Sequence, residues 1–199
     1  MDHYLTISNS TSSQYVEKRS RFLAFAHHVE SEEEVKTLVE RYRKEYYDAR
    51  HVCYAYALGV EGERFRAVDD GEPGGSAGKP IHGQIRAREL TETLVVVVRY
   101  FGGVKLGTGG LAVAYKTAAA EALDLAEIEE RVVKTEIVVE APYTQADGVM
   151  RLARNMGAEI ALDYTADATI LTLKIRESEA ENLRGQLSLN HLITIRPKE

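Results

Sequence analysis

The chain has 199 residues, 44% of them apolar and 28% charged, and a net charge of −6 at pH 7. That length suits one large domain or two small ones, and the composition is that of a chain that folds throughout. The acid surplus excludes a protein coated in nucleic acid through bulk electrostatics, so any phosphate contact has to be local. Met1 to Tyr15 carry neither the basic nor the apolar segment of an export signal. The apolar run Leu94 to Val98 is too short to cross a bilayer. Cys53 is the single cysteine, which leaves no intrachain disulfide and no cysteine-based zinc site and makes the cytoplasm the expected setting.

In chain order, Phe22 to Val29 predicts a strand after the basic corner Lys18, Arg19 and Arg21. Ser31 and Glu34 form a capping box, and Val35, Leu38, Val39, Tyr42 and Tyr46 repeat at helical spacing to about Tyr46. His51 to Leu58 and Arg64 to Val68, joined by Glu61-Gly62-Glu63, predict a β-hairpin. Asp69 to Pro80 is too rich in Gly and Pro for regular structure, and Pro80 suits the first turn of a helix from Ile81 to about Leu90. Leu94 to Val98, apolar and β-branched, predicts a strand covered on both faces. A second glycine-rich loop, Gly102 to Gly110, leads into a helix from about Leu111 to Ala126. From Thr135 the pattern restarts as strand, helix, two strands, helix and a last strand at Leu192 to Ile195. This is the βαββαβ order of a ferredoxin-like sandwich. The boundary is expected near Lys134, giving domains 1–133 and 134–199 in an α+β protein.

Two nucleotide motifs fail on context. Gly107 to Ala112 matches the dinucleotide spacing, but a Gly102-Gly103 turn separates it from the preceding strand and no acid closes a following one. No Gly-Lys-Ser/Thr triplet supplies a Walker A loop. What remains is physical: glycines expose amides ahead of two helices, whose N-terminal ends hold anions readily. Lys79, Arg99 and Lys105, with Gly107, Thr108, Gly109 and Gly110, form the expected phosphate-binding set. The alternative is that these glycines only serve tight turns.

Asp69, Asp70 and Glu72 offer oxygen ligands for Mg²⁺ or acid/base groups, or else form a capped turn with solvated acids, and Ser76 is a further candidate in the same loop. His51 and Cys53 share one strand face, as a thiol–imidazole pair requires, yet a lone cysteine among Val52, Tyr54 and Ala55 also suits a small core residue. Tyr100 and Phe101 would stack on a base or pack on the sheet. No acid/base or nucleophile set is complete, so binding is expected rather than catalysis, with no cofactor, no metal and no catalytic residue assigned.

Lys18 to Phe22, Ala49 to Ala55, Asp69 to Pro80 and Val98 to Leu111 resemble, in order and spacing, the signature blocks of the Impact/YigZ family, over about residues 15–125. Gly74 departs from the pattern, which has a serine after Glu-Pro. The resemblance implies an N-terminal βαβ domain of the ribosomal-protein second-domain type, also found as domain four of elongation factor G. It implies a C-terminal ferredoxin-like domain similar to domain five of that factor. Eukaryotic Impact acts in translational control by competing for the activator of a general-control kinase, using an additional N-terminal domain for which this chain has no room. That role is therefore not implied, whereas contact with RNA or the ribosome is. Two other functions remain open at this point: an enzyme or sensor gripping a phosphorylated small molecule at the same loops, and a protein-interaction adaptor using the ferredoxin-like sheet.

Overall fold

The computed structural model describes residues 2–197 and divides into two compact units: Tyr4–Arg131, and a second that joins the residues up to His3 to those from Val132 onward. The fold class is α+β, as the element pattern implies. No helix among the described residues is long and apolar enough to cross a membrane.

In the first unit, β1 (His3–Ile7) and β7 (Ile128–Val132) form a two-stranded ribbon. The main sheet is built from β2 (Thr11–Glu17), β3 (Ser20–His28), β4 (His51–Leu58), β5 (Arg64–Val68) and β6 (Thr93–Tyr100). Its order is β2-β3-β6-β4-β5, with every neighbouring pair antiparallel. Because β3 and β4 both run antiparallel to β6 between them, they are parallel to each other, and α1 (Glu32–Glu45) is the crossover of a split βαβ unit. The hydroxyl of Ser31 accepts the Glu34 amide at the start of α1, and the Glu34 carboxylate reaches back to the amide of Glu30.

β6 explains why the sheet needs helices on both faces. Leu94 to Val98 are all fully buried, each side chain contributing roughly 1.5–3 kcal/mol by leaving water. Leu94, Val96 and Val98 pack with Val35, Val39 and Tyr42 of α1. Val95 and Val97 face α2 (Gly78–Ala87) and α3 (Gly107–Asp124) across a surface of small residues, including Ala24, Ala55 and Ala57 on the strands and Ala114, Ala118 and Ala122 on α3. Small side chains on both sides let the helices press close. At Gly78 even a Cβ is excluded, because it would lie 2.4 Å from the Val68 amide nitrogen.

Three strands escape the sequence reading: β1, β2 and β7. β2 reads Thr-Ser-Ser-Gln-Tyr-Val-Glu and docks on α3 through hydroxyls as well as the Tyr15 ring, Thr11 donating to the Ala122 carbonyl at 2.7 Å and Ser13 to Ala118 at 3.2 Å. Its hairpin to β3 turns at Lys18 and Arg19, both at positive φ (46° and 66°), the geometry of a two-residue primed turn that fits the sheet twist. Two helices also start earlier than expected, α2 at Gly78 instead of Ile81 and α3 at Gly107 instead of Leu111.

The second unit runs β8 (Lys134–Pro142), α4 (Tyr143–Asn155), β9 (Glu159–Tyr164), β10 (Ala168–Arg176), α5 (Glu177–Ser188) and β11 (Thr194–Ile195). Its sheet order, β11-β8-β10-β9 and antiparallel throughout, is that of a ferredoxin-like sandwich. Ile137, Val139, Leu171 and Leu173 pack against Val149 of α4 and Leu183 of α5. Asp2 belongs here because its carbonyl accepts the Val133 amide at 2.7 Å and its carboxylate the Ser178 amide at 2.9 Å, so residues 2 and 3 do not go with the expected 1–133 segment.

His27 supplies a pH test of the first unit. It is 8% exposed, held between the Ser10 hydroxyl at 2.8 Å and the Tyr42 hydroxyl at 2.7 Å. Burial, then the charge of Arg41, holds its pKa below the ordinary value. A depressed histidine is protonated first in the unfolded chain, so its contribution is complete above about pH 6.5 and is lost as pH falls from there toward the folded pKa. The urea midpoint, followed by far-ultraviolet circular dichroism, is expected to fall between about pH 7 and 5. His27→Gln is expected to flatten that slope even though it lowers the midpoint; an unchanged slope would rule His27 out as its source.

Candidate functional site

Between β5 and α2 the chain passes through the first glycine-rich loop, and its acids are turned inward. The Asp69 carboxylate accepts the amides of Gly75 (2.7 Å), Ala77 (2.9 Å) and Gly78 (2.8 Å), closing the N-terminus of α2 from within. Burial pushes the Asp69 pKa up, but the amides of Gly75, Gly78 and Ala77 together with the charge of Lys79 bring it below the ordinary value. Asp70 ties the loop to two elements, its carboxylate accepting the Val52 amide at 2.8 Å and Arg43 at 2.7 Å. The His51 Nδ1 lies 2.9 Å from the Asp70 carbonyl and donates its proton to it. The Ser76 hydroxyl is buried and donates to the Pro73 carbonyl at 2.6 Å.

Glu72 drives this loop into the core. Its side chain is 4% exposed, and Oε1 accepts Arg99 at 2.6 Å and the Tyr115 hydroxyl at 2.8 Å. His51 Nε2 stands 3.9 Å from the same oxygen. The Cys53 thiol donates to the Asp69 carbonyl at 2.9 Å and lies 3.3 Å from the Tyr115 hydroxyl. Burial, reinforced by the negative charges of Glu72, Asp70 and Asp69, pushes the thiol pKa well up against the opposing Tyr115 bond. Burial does the same to Tyr115, with Cys53 and Glu72 adding to it. Thiol and imidazole are thus engaged by different partners, and the three loop carboxylates are each bound by N–H or O–H donors in different directions. This geometry is a tied turn, not a cradle for Mg²⁺. The described residues that do bring three metal-type ligands together are His28, Glu30 and Glu92, where the Arg131 guanidinium already lies 2.9 Å from His28 and 3.3 Å from Glu30.

Arg99 belongs to this buried cluster and not to a phosphate-binding rim. It is 6% exposed, its guanidinium lies over the rings of Phe22 and Phe101, and its Nε is buried without a partner among the described residues. Lys79 and Lys105 are exposed.

The second loop is the open one. α3 begins on Gly107 with no side chain capping it and no acid in its first turn, and Gly107, Thr108 and Gly109 are exposed. The four residues from Gly107 to Gly110 are therefore the first helical turn itself, with its amides directed outward. The loop is laid against the β2–β3 turn: Gly102 donates its amide to Ser20 Oγ at 3.1 Å, and a Cβ there would sit 2.1 Å from the Arg19 carbonyl carbon. This brings the basic corner into the site. Lys18, Gly109, Gly110, Leu106 and Val113 share the lining of a depression of about 250 Å³. Lys18 beside the open helix end and Tyr115 in the buried cluster are members that the glycine loops alone do not announce. Lys18 carried a signal in the basic corner, whereas Tyr115 carried none within an alanine-rich helix face.

Fold and site together define a two-unit α+β protein whose first glycine-rich loop is anchored in the core and whose second presents an open helix end. The Impact N-terminal domain matches residues 18–123 of this chain. IMPACT family member YvyE of Bacillus subtilis is 36% identical over 141 residues, 71% of this chain and 65% of that one, just under two thirds of its length. IMPACT family member YigZ of Escherichia coli is 38% identical over 152 residues, 75% of this chain and 74% of that one. A crystal structure of a hypothetical protein superposes with a TM-score of 0.75 at 30% identity, covering 100% of this chain and 98% of the other. The chain belongs to the IMPACT family.

The buried cluster makes an ordered set of stability effects. Glu72→Ala leaves Arg99 charged and unpaired in the core and is expected to cost roughly 3–5 kcal/mol. Tyr115→Phe removes the hydrogen bond to the Glu72 carboxylate and the contact with the Cys53 thiol and is expected to cost roughly 1.5–3 kcal/mol. Cys53 is expected to react with a bulky thiol reagent only as fast as the first unit opens. Urea denaturation measures the first two and labelling kinetics the third; rapid labelling of the native protein would contradict the enclosed thiol.

Proposed function

We propose that this IMPACT-family protein is a translation-associated regulatory protein that binds RNA or the ribosome at the corner where α3 begins. The observation that carries this reading is the uncapped first turn of α3, exposed from Gly107 to Gly109, whose Gly109 and Gly110 share a depression with Lys18 and Glu17. A helix end with free amides carries partial positive charge and accepts a phosphate oxygen. Lys105 and Arg19, both exposed, add local positive charge on a chain of net −6. Phe101, 52% exposed ahead of the loop, offers a ring face on which an unpaired base would stack. The α2 end is the less open of the two, since Asp69 already occupies the amides of Ala77 and Gly78.

Size favours a polymer over a free metabolite. About 250 Å³ is below the 300–1,000 Å³ typical of pockets that bury a small ligand, whereas a backbone phosphate needs only the rim. Binding is thus the supported role.

Lys105→Glu tests the reading. RNA affinity is expected to fall and the slope of its logarithm against the logarithm of salt to flatten by about one counterion, while folding stability changes by less than about 0.5 kcal/mol. Filter binding of ribosomal RNA across a salt series measures this. RNA affinity that survives both Lys105→Glu and Lys18→Glu would place the contact elsewhere, and selective binding of a mononucleotide would favour the small-molecule alternative.

A further inference from the structure

β5 ends the main sheet on the side opposite β2 and, among the described residues, pairs only with β4, so its outer edge carries backbone groups with no described strand beside them. Its residues alternate in chemistry as well as in direction. Arg64 lies opposite Leu58 and Arg66 opposite Tyr56, which places both arginines on the α1 face. Phe65 lies opposite Ala57 and Ala67 opposite Ala55, on the α2 face. All four are exposed, and Phe65, 61% exposed, is stacked on the His82 ring at 4.6 Å between centroids. Among the described residues neither arginine enters an ion pair.

We propose that the outer edge of β5 docks an extended segment of a partner protein in which acidic and apolar residues alternate. A strand added to this edge sets its own side chains alternately beside the arginines and beside Phe65 and Ala67, because the side-chain period of a strand is two. Acids beside Arg64 and Arg66 form cross-strand charge pairs, and apolar residues on the other face cover the Phe65 ring. The same charges disfavour a second copy of β5, which would bring arginines against arginines. Room on the α1 face comes from a depression of about 430 Å³ lined in part by Tyr54, Tyr56 and Arg66. Its α1 wall carries Glu32, Glu33 and Glu40 against Lys36 and Arg43, whereas the one β5 residue that lines it, Arg66, is cationic. This surface uses none of the residues of the α3 corner, and it stands or falls independently of RNA binding.

The probe is a short fluorescein-labelled peptide alternating glutamate and valine, titrated against the full chain by fluorescence anisotropy. Controls are a peptide of the same composition with its glutamates contiguous and one with lysine in place of glutamate. Saturable binding of the alternating acidic peptide alone is expected, with slowed amide exchange in residues 64–68. The double variant Arg64→Glu/Arg66→Glu is expected to weaken it roughly tenfold and to shift preference to the lysine peptide. Phe65→Ser, which leaves the charges in place, is expected to weaken it severalfold. Equal binding of the contiguous peptide, affinity undiminished in both variants, or no saturation at about 1 mM peptide would overturn the proposal.

Discussion

A carboxylate removed from water needs a positive partner and further donors, or it destabilises the fold that buries it. Glu72 has these in Arg99 from β6 and Tyr115 from α3, two elements that both follow the loop in the chain. The loop is therefore not a loose connection between β5 and α2 but part of the first core. Once Glu72 is drawn in, Asp69 and Asp70 are positioned to take the amides of α2 and of β4, and the Cys53 thiol finds the Asp69 carbonyl. The acids at the head of the glycine-rich segment fix its conformation and leave its basic residue, Lys79, outside.

The two glycine-rich loops look alike as strings of letters and differ in what completes them. The first ends on a helix whose amides a carboxylate of the same loop has taken. The second ends on a helix with no capping side chain and no acid in its opening turn. That single difference decides which helix end has free donors for something outside the chain, and it sits beside Lys18 rather than beside the buried Arg99.

Much of the fold was legible because periodicity carried it. The run Leu94 to Val98 announced a strand covered on both faces, the spacing from Val35 to Tyr46 announced α1, and the closing βαββαβ order announced the ferredoxin-like unit. β2 was illegible because Thr11 and Ser13 dock by hydrogen bonds to α3 carbonyls, which hydrophobic patterning does not register. The start of α3 was misread because glycine costs only about 1 kcal/mol per helical position, a deficit that the buried face from Leu111 to Leu123 outweighs. At the site, the candidate residues were found as types but not as roles. Arg99 reads in sequence as a cation beside a glycine loop, and only the pairing across β6 shows that its charge is spent on Glu72.

The seating of Gly102 on the Arg19 turn bears on how the protein is made. The two halves of the basic corner are separated by more than 80 residues of chain, and the hydrogen bond from Gly102 to Ser20 is the seam between them. During synthesis at roughly 5–20 residues per second, Lys18 and Arg19 leave the exit tunnel several seconds before α3 does. Throughout that interval the hairpin has no helix to face, and β3 waits for β6, its partner near the middle of the sheet. The surface that would meet RNA thus comes into being only when the first unit is almost wholly translated, so a nascent chain halted before α3 carries the charges of the corner without its amides.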